Sequence, residues 1–210
     1  MKFTPLFISF EGIDGSGKST QCQMLYHDLL DKGYKVHLFR EPGGTSISEK
    51  IRDILLDKEN TEMSPITEML LYFASRNQLI TEKVVPALER GEIVLLDRFV
   101  DSTVAYQGYG RDLPLESIGK VADVAIGDVM PHLTILVDTP LETAETRMDA
   151  RELDRLEAEN SDFKARTRRG YLELASQEPE RFLVLDGRES IEKLKQTVSN
   201  RVNQLLNTTT

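Results

Sequence analysis

A glycine-rich segment near the N-terminus carries the clearest chemistry in the chain. Residues 12–19 read Gly-Ile-Asp-Gly-Ser-Gly-Lys-Ser, a full match to the pattern G-x-x-x-x-G-K-S. Glycines permit the backbone angles that turn amide N–H groups toward a phosphate, and a following helix adds its positive N-terminal end. Lys18 supplies a charge for the β- and γ-phosphates, and the Ser19 hydroxyl is a ligand for Mg²⁺. The segment predicts binding of a nucleoside triphosphate with Mg²⁺.

This loop pattern occurs in ATPases, GTPases and small-molecule kinases alike, so it does not fix the reaction. The sequence contains no Asn-Lys-x-Asp motif of the kind that reads guanine, which argues against a GTPase. The predicted triphosphate contacts are Gly12, Ile13, Asp14, Gly15, Ser16, Gly17, Lys18, Ser19 and Thr20.

Arginines follow two other apolar runs of the chain. Arg40 follows residues 36–39, with Arg52 one helical stretch later, and Asp97-Arg98 follows residues 93–96. A carboxylate at the position of Asp97 can meet Mg²⁺ or its waters, and an adjacent arginine suits a phosphate clamp for in-line transfer. A single arginine would be interpreted as a surface charge. Several arginines at one edge of a sheet predict a second phosphate site, for an acceptor.

Tyr72 and Arg76 are four residues apart in a strong helical pattern and therefore share a helix face. An aromatic ring beside a guanidinium suits a stacked base whose edge accepts hydrogen bonds. Taken alone, such a pair is more often a packed tyrosine with an arginine that reaches toward solvent. The pair alone leaves both interpretations open.

The elements that must position these residues are visible as five short apolar runs. They do not alternate with polar residues, so they predict strands covered on both faces, as in a parallel sheet. Strands that alternate with helices predict a doubly wound α/β fold of the P-loop NTPase type, with a five-stranded parallel sheet and helices on both faces. Ligands bind at the carboxyl ends of such strands. The runs are 6–10, 36–39, 93–96, 133–137 and 182–185.

Three apolar stripes at helical spacing predict helices between and after the strands. The second stripe is long enough to serve either the core or an interface between two copies of the chain. The stripes are Cys22, Leu25 and Leu29; Ile66, Leu70, Phe73, Ile80, Val84 and Leu88; and Leu194, Val198, Val202 and Leu205.

Length and composition set outer limits. A chain of 210 residues predicts a single domain over 1–210. A net charge of −9 argues against nucleic-acid binding, and one cysteine excludes a disulfide framework. The first apolar run ends at Glu11, too early for a signal peptide or a membrane span. We therefore expect a cytoplasmic protein with no membrane partner.

Several segments together resemble the bacterial thymidylate kinase family. The resemblance covers nearly the whole chain, and its stretch from Asp97 to Arg111 is highly specific, whereas the phosphate loop alone is not. It implies a single nucleoside monophosphate kinase domain that transfers the γ-phosphate of ATP to dTMP with Mg²⁺, in a homodimer. The segments are 10–20, 40–45, 70–76, 97–99, 102–111 and 153–157.

The resemblance also implies roles at the acceptor site. Arg52 and Arg98 would hold the acceptor phosphate, with Arg40 and Glu41 nearby. A cis peptide between Glu41 and Pro42 is expected from the same likeness.

For the base and sugar, the family's usual phenylalanine is replaced by Tyr72, which keeps the stacking face and adds a hydroxyl. Arg76 would donate to thymine O4, an edge at which cytosine and adenine present an amino donor instead. Thr103 and Gln107 would complete the base contacts. Tyr106 would press on the sugar where a 2′-hydroxyl would clash.

The charge that neutralises the moving phosphoryl group is expected from a short helical lid at about 147–160. The loop has no arginine between its outer glycines, whereas Arg147, Arg151 and Arg155 are spaced four apart and predict one basic row on a helix. We expect Arg151 or Arg155 to reach the transferred phosphate and Arg147 to lie nearer the adenine. A solvated helix with internal ion pairs is the alternative.

The expected catalytic residues are Lys18, Asp14, Arg98, Arg151 and Arg155. Asp14 either orients an acceptor-side arginine, a magnesium-bound water or the dTMP 3′-hydroxyl, or only stabilises the turn. Ser19 and Asp97 are the expected metal contacts. Two other functions stay open at this stage: a related kinase for another deoxynucleotide or nucleoside, and a non-catalytic nucleotide switch.

Overall fold

The computed structural model of the protein describes residues 5–148 and 153–208. Five strands within them form one parallel sheet in the order β2-β3-β1-β4-β5, which confirms the predicted doubly wound α/β fold. Each predicted run is a strand that extends by one residue to include the charged side chain after it. The strands are β1 (Leu6–Glu11), β2 (Val36–Arg40), β3 (Ile93–Asp97), β4 (Leu133–Asp138) and β5 (Phe182–Asp186).

Helices connect these strands and cover both faces of the sheet. Within the described residues, two π-helical segments interrupt the helical regions, and we name them π1 (Ile80–Val84) and π2 (Val104–Gly110). The α-helices of the described residues are α1 (Lys18–Asp31), α2 (Ser46–Leu56), α3 (Pro65–Leu79), α4 (Val85–Glu89), α5 (Val100–Thr103), α6 (Leu115–Ile126), α7 (Leu141–Met148), α8 (Ser161–Gln177) and α9 (Ile191–Thr208).

The core is divided by the sheet into two layers. On one face, Ile8 and Phe10 of β1 pack with α1 and α9, whose predicted apolar stripes are buried there except for the partly buried Leu205. On the other face, Phe7 of β1 and Leu96 of β3 pack with α3, π1 and α6. Both faces of the central strands are thus covered, as the uninterrupted apolar runs predict.

The second predicted stripe is only partly correct. Phe73, Ile80 and Val84 are buried, but Ile66 and Leu70 are 58% and 47% exposed. The buried face of α3 carries two charged residues, Glu68 and Arg76, in addition to apolar ones. A prediction from the apolar residues alone therefore places the buried face of α3 incorrectly.

The predicted row of lid arginines on one helix is wrong at Arg155. Residues 153–160 form turns without a helix, and Arg151 lies outside the described residues. Asp154 Oδ1 accepts the backbone N–H groups of Leu156 and Glu157 at 2.9 and 3.0 Å, while Glu157 Oε2 accepts the Asp154 N–H at 3.0 Å. This reciprocal cap starts a new turn at Asp154, which prevents a continuous helix through this point.

None of the helices in the described part of the chain has the length and apolar character needed to cross a membrane.

Candidate active site

A cavity of about 250 Å³ opens at the carboxyl ends of β1, β2 and β3. It brings together the phosphate loop and the segments after β2 and β3, which sequence reasoning assigned to donor and acceptor respectively. The predicted site residues that line it are Asp14, Lys18, Ser19, Arg40, Glu41, Arg52, Tyr72, Asp97, Arg98, Thr103, Tyr106 and Gln107.

The phosphate loop has the backbone that its glycines predict. Gly12, Gly15 and Gly17 all have positive φ, at 140°, 77° and 97°. A Cβ on Gly12 would lie 2.6 Å from the Val137 carbonyl oxygen, so a larger residue does not fit there. Gly17, the N-cap residue of α1, has no side chain to cap the helix, and the Lys18 N–H makes only a long hydrogen bond of 3.4 Å to Ser16 Oγ. The N–H groups of Ser19 and Thr20, for which the described residues provide no capping side chain, are therefore available to an anion.

Ser19 and Asp97, the residues predicted to meet Mg²⁺, line this cavity together, and both also line a second one. Asp97 Oδ1 is buried and has no hydrogen-bond partner among the described residues. The hydroxyl of Ser19 lines the cavity as well. An unpartnered carboxylate oxygen and a hydroxyl beside a phosphate loop are hard oxygen donors of the kind that Mg²⁺ prefers, so the residues present fit this ion.

Arg98 is held by the phosphate loop. Its Nη2 lies 2.6 Å from Asp14 Oδ1, and its Nη1 donates to the Gly12 carbonyl at 3.0 Å. Tyr106 completes the arrangement, because its hydroxyl donates to Asp14 Oδ2 at 2.9 Å and accepts from Arg98 at 3.1 Å. Burial disfavours the charged form of Asp14, but the charges of Arg98 and Lys18 outweigh burial and hold the pKa of Asp14 well below its usual range. Asp14 thus stays ionised and orients Arg98.

The backbone of Arg98 is itself constrained. Its φ is +76°, in the left-handed region that a residue with a Cβ rarely adopts. The Arg98 N–H donates to the Phe10 carbonyl at 3.0 Å, which fixes this turn against β1. Such strained conformations persist where the surroundings dictate them, and they concentrate at functional sites.

Behind Arg98 lies a buried cluster that sequence reasoning missed. The Tyr171 hydroxyl, from α8, accepts from Arg98 Nη1 at 3.0 Å and pairs with Ser102 Oγ at 2.7 Å. Glu11 Oε2 is hydrogen-bonded to the Ser102 hydroxyl at 2.6 Å and to the Tyr171 hydroxyl at 3.1 Å. Burial and the nearby Asp101 raise the pKa of Glu11 to about 8. In sequence, Tyr171 looks like an ordinary core tyrosine, so no pattern distinguishes it.

Two further arginines frame the cavity on the β2 side. Arg40 and Arg52 each donate from Nη1 to the Pro42 carbonyl at 2.9 Å. The Glu41–Pro42 peptide is cis, as expected. Glu49, unrecognised in the sequence, accepts from Arg40 Nη2 at 2.9 Å and from the Gly44 N–H at 2.7 Å. Burial and the proximity of Arg40 lower the pKa of Arg52. Two neighbouring arginines of this kind are suited to bind an anion, which would offset their repulsion.

Arg76 occupies a different place from the one expected. It is only 1% exposed and lies behind the cavity wall. Its Nε donates to Glu41 Oε2 at 2.7 Å, its Nη1 to Thr103 Oγ1 at 2.9 Å and its Nη2 to the Phe99 carbonyl at 3.0 Å. Because Thr103 Oγ1 accepts from Arg76, the Thr103 hydroxyl keeps its own proton to donate into the cavity that it lines. In this structure, Arg76 therefore acts on the cavity through Thr103.

The rest of the predicted cavity wall consists of two tyrosine rings and a glutamine side chain. The half-buried Tyr72 and the buried Tyr106 and Gln107 line the same cavity. Burial raises the pKa of the Tyr72 hydroxyl, which therefore stays protonated. Gln107 Nε2 donates to Glu68 Oε1 at 2.8 Å, and Glu68 is another residue that sequence reasoning overlooked.

The two described lid arginines point to different partners. Arg147 donates to the Ser16 and Gly187 carbonyls at 3.2 and 2.9 Å, which places it on the outer side of the phosphate loop. Arg155 donates from Nε to the Leu55 carbonyl at 2.8 Å, and its Nη1 lies 2.7 Å from a Glu68 carboxylate oxygen. In this structure Arg155 therefore contacts α2 and α3 rather than the phosphate loop.

Similarity to known proteins agrees with this geometry. A family model described as thymidylate kinase matches residues 10–198, a range that contains every predicted site residue. The chain belongs to the thymidylate kinase family. A thymidylate kinase from Thermoanaerobacter sp. (strain X514) is 50% identical over 200 residues, which cover 95% of this chain and 98% of the relative.

Two other thymidylate kinases extend the comparison. The protein from Kosmotoga olearia is 49% identical over 196 residues, with 92% of this chain and 93% of the relative covered. The crystal structure of thymidylate kinase from Ehrlichia chaffeensis superposes with a TM-score of 0.77 at 32% identity, with 95% and 98% of the two chains covered. Similarity to these thymidylate kinases thus spans the sheet and both helical layers.

Proposed function

We propose that this protein transfers the γ-phosphate of ATP to dTMP and releases ADP and dTDP, in the cytoplasm and on the route to dTTP. The observation that carries this proposal is the pairing of Arg98 with Asp14 at 2.6 Å. It joins the expected acceptor arginine directly to the phosphate loop, within one cavity. Family membership supports the same reaction.

In this proposal the chain supplies positioning and positive charge, which is most of what phosphoryl transfer requires. The loop N–H groups and Lys18 hold the donor's β- and γ-phosphates. Arg98, with Arg40 and Arg52 on the opposite side, holds the acceptor phosphate in line with the donor. Mg²⁺, held through Ser19 and Asp97, supplies further neutralisation of phosphate charge when bound.

The acceptor's base and sugar are assigned to the far wall of the cavity. Tyr72 offers a face for stacking, and the Thr103 hydroxyl, polarised by Arg76, offers a donor for thymine O4. Tyr106 lies beside Asp14 and Arg98, where a sugar attached to the bound phosphate would pass. A ribose 2′-hydroxyl at this place would meet the Tyr106 ring, which favours deoxyribose.

The lid arginines complete the proposal. Arg147 is placed toward the adenine side, while Arg151 or Arg155 supplies charge to the transferred phosphate on closure. For Arg155 this requires release from Glu68. The exposed apolar residues Ile66 and Leu70 of α3 offer a surface for the proposed homodimer, which light scattering on the purified protein would test.

The decisive experiment is a coupled ADP-release assay with dTMP, dUMP, dCMP, AMP and thymidine as acceptors. We expect the highest kcat/KM with dTMP. A higher kcat/KM with another acceptor would favour a kinase of a different deoxynucleotide or nucleoside. ATP binding with no acceptor-dependent turnover would favour a non-catalytic nucleotide switch.

A further inference from the structure

Glu68 of α3 is a buried carboxylate at which three segments of the chain meet. It is 1% exposed. Its Oε1 accepts from Gln107 Nε2 at 2.8 Å and from Arg111 Nε at 3.2 Å. Its Oε2 accepts from Arg111 Nη2 at 3.1 Å and lies 2.7 Å from Arg155 Nη1. Both oxygens of one side chain are therefore committed to donors from π2, from the turn after it and from the segment before α8.

The two arginines keep this carboxylate ionised. Burial alone would raise the pKa of Glu68, but hydrogen bonds from Arg111 and Gln107 and the charges of Arg111 and Arg155 together lower it. Arg111 is held in turn by Glu159, with Nη1 2.5 Å from Oε1, and by the face of the Phe163 ring. An ionised carboxylate accepts hydrogen bonds and cannot donate them.

This property determines which way the Gln107 side chain faces. A glutamine amide has a donor end and an acceptor end of nearly the same shape, and its neighbours decide between the two orientations. Beside an acceptor-only carboxylate, the NH₂ end must face Glu68. The amide oxygen then faces away from Glu68, on the side of the cavity that Gln107 lines. No donor among the described residues pairs with that oxygen.

We propose that Glu68 is a specificity-determining positioning residue, which orients Gln107 so that the cavity presents a hydrogen-bond acceptor to the N3 edge of a pyrimidine. Thymine and uracil carry an N3–H donor at this edge, whereas cytosine carries a lone pair that a fixed carbonyl oxygen repels. This inference rests on the proposed function, since it assumes that the cavity holds the acceptor's base.

The test is the substitution Glu68→Gln, which lets residue 68 present either a donor or an acceptor and so frees the Gln107 amide to rotate. We expect the kcat/KM ratio of dTMP to dCMP to fall about 10-fold or more, the size of one misplaced hydrogen bond in a closed site. The ratio of dTMP to dUMP should stay within about 2-fold, because both bases carry the same N3–H. A purely structural role would not separate the two ratios.

Three further variants distinguish an effect on Gln107 from a general loss of charge or fold. Glu62→Gln, at an exposed carboxylate that precedes α3, controls for loss of an acidic side chain and should leave both ratios unchanged. Gln107→Met removes the amide and should lower the dTMP:dCMP ratio similarly. In the Gln107→Met background, Glu68→Gln should change that ratio no further.

Melting temperatures report whether each variant folds. If Glu68→Gln does not fold, Glu68→Asp replaces it, because the shorter carboxylate keeps the charge but withdraws from Gln107 Nε2; a retained dTMP:dCMP ratio in Glu68→Asp or in Gln107→Met overturns the inference. A folded Glu68→Gln enzyme with the wild-type ratio overturns it too. Either result leaves the proposed function intact as long as the wild-type protein phosphorylates dTMP, whereas a wild-type protein inactive on dTMP refutes the function itself.

Discussion

Arg98 Nη2 lies 2.6 Å from Asp14 Oδ1, so the arginine at the end of β3 is fixed by a carboxylate of the phosphate loop itself. A negative side chain among groups that bind phosphate is unexpected on electrostatic grounds. Its effect is to hold a flexible cation in one orientation before any ligand arrives. Such preorganisation reduces the entropy that must be lost when the reactants are aligned.

Replacement of Asp14 with Asn should lower kcat/KM for dTMP by about 10- to 100-fold, because a hydrogen bond between charged groups is lost and Arg98 is freed. Steady-state kinetics with dTMP varied at saturating ATP would measure the effect. Asp28→Asn removes a carboxylate of α1 that pairs with the exposed Lys32 and serves as the control. Equal kinetics for the two variants would mean that Asp14 does not position Arg98.

Tyr171→Phe should lower kcat/KM for dTMP by about 3- to 10-fold, although Tyr171 does not line the cavity. The change removes a single hydroxyl that accepts from Arg98, a loss on the order of 1 kcal/mol. Tyr26→Phe, in the other core layer, is the matched control and should be near wild type. If Tyr171→Phe loses stability but no activity, the hydroxyl serves packing alone.

Tyr72 should act through its ring and not through its hydroxyl. Tyr72→Phe is expected to keep KM for dTMP within about 2-fold, because the stacking face is unchanged. Tyr72→Ala is expected to raise KM about 10-fold or more, since stacking of a base on an aromatic ring contributes roughly 1–3 kcal/mol. A large defect in the phenylalanine variant would instead assign a binding role to the hydroxyl.

Replacement of both Arg151 and Arg155 with Ala should lower kcat at least ~10-fold with a modest change in dTMP affinity, because these arginines are expected to contact the phosphoryl group only during transfer. The exposed Arg169, changed to Ala, controls for loss of positive charge nearby. Unchanged turnover in the double variant would rule out a catalytic role for this pair. The single variants would then divide a measured loss between the two positions.

The buried Glu11 should make stability depend on pH. Its pKa is about 8 in the folded protein against 4.5 for an ordinary glutamate, so the folded state keeps a proton that the unfolded chain releases between these values. The free energy of unfolding should therefore fall as pH rises from 5.5 to 8, by about 2–3 kcal/mol more in the wild type than in Glu11→Gln. Urea unfolding at both pH values measures this difference. Parallel pH profiles would show that Glu11 does not titrate in this range.

The sheet could be predicted from the sequence because its strands are buried on both faces, which leaves an uninterrupted apolar run for each. Prediction of the buried face from apolar residues failed at α3. There the charged residues Glu68 and Arg76 are buried, whereas an apolar stripe predicts that charged positions face solvent. Prediction failed again at Arg155, because spacing of four residues predicts a row only where the chain is helical, and Asp154 caps a separate turn.

At the candidate site, the residues that line the cavity could be predicted from the sequence, whereas the residues that hold them in place could not. Residues that face the cavity belong to short segments with recognisable chemistry, and most of them line it as expected. Tyr171, Glu49 and Glu68 act by holding other side chains, over 73, 9 and 39 residues of sequence respectively. Such contacts depend on tertiary packing, so a single sequence offers no periodicity or motif that reveals them.

Because β1 lies between β3 and β4, the phosphate loop that follows β1 has the first half of the chain on one side and the second half on the other. The side chains proposed to select the acceptor come from residues 40–111, whereas Arg147, which contacts the phosphate loop, and its partner Gly187 come from the other half of the chain. In this proposal, substitutions between residues 40 and 111 can change the preference for one base without altering the contacts of Arg147 with the Ser16 and Gly187 carbonyls. The Glu68–Arg155 ion pair and the Arg98–Tyr171 hydrogen bond join the two halves, so a substitution at any of these four residues affects both.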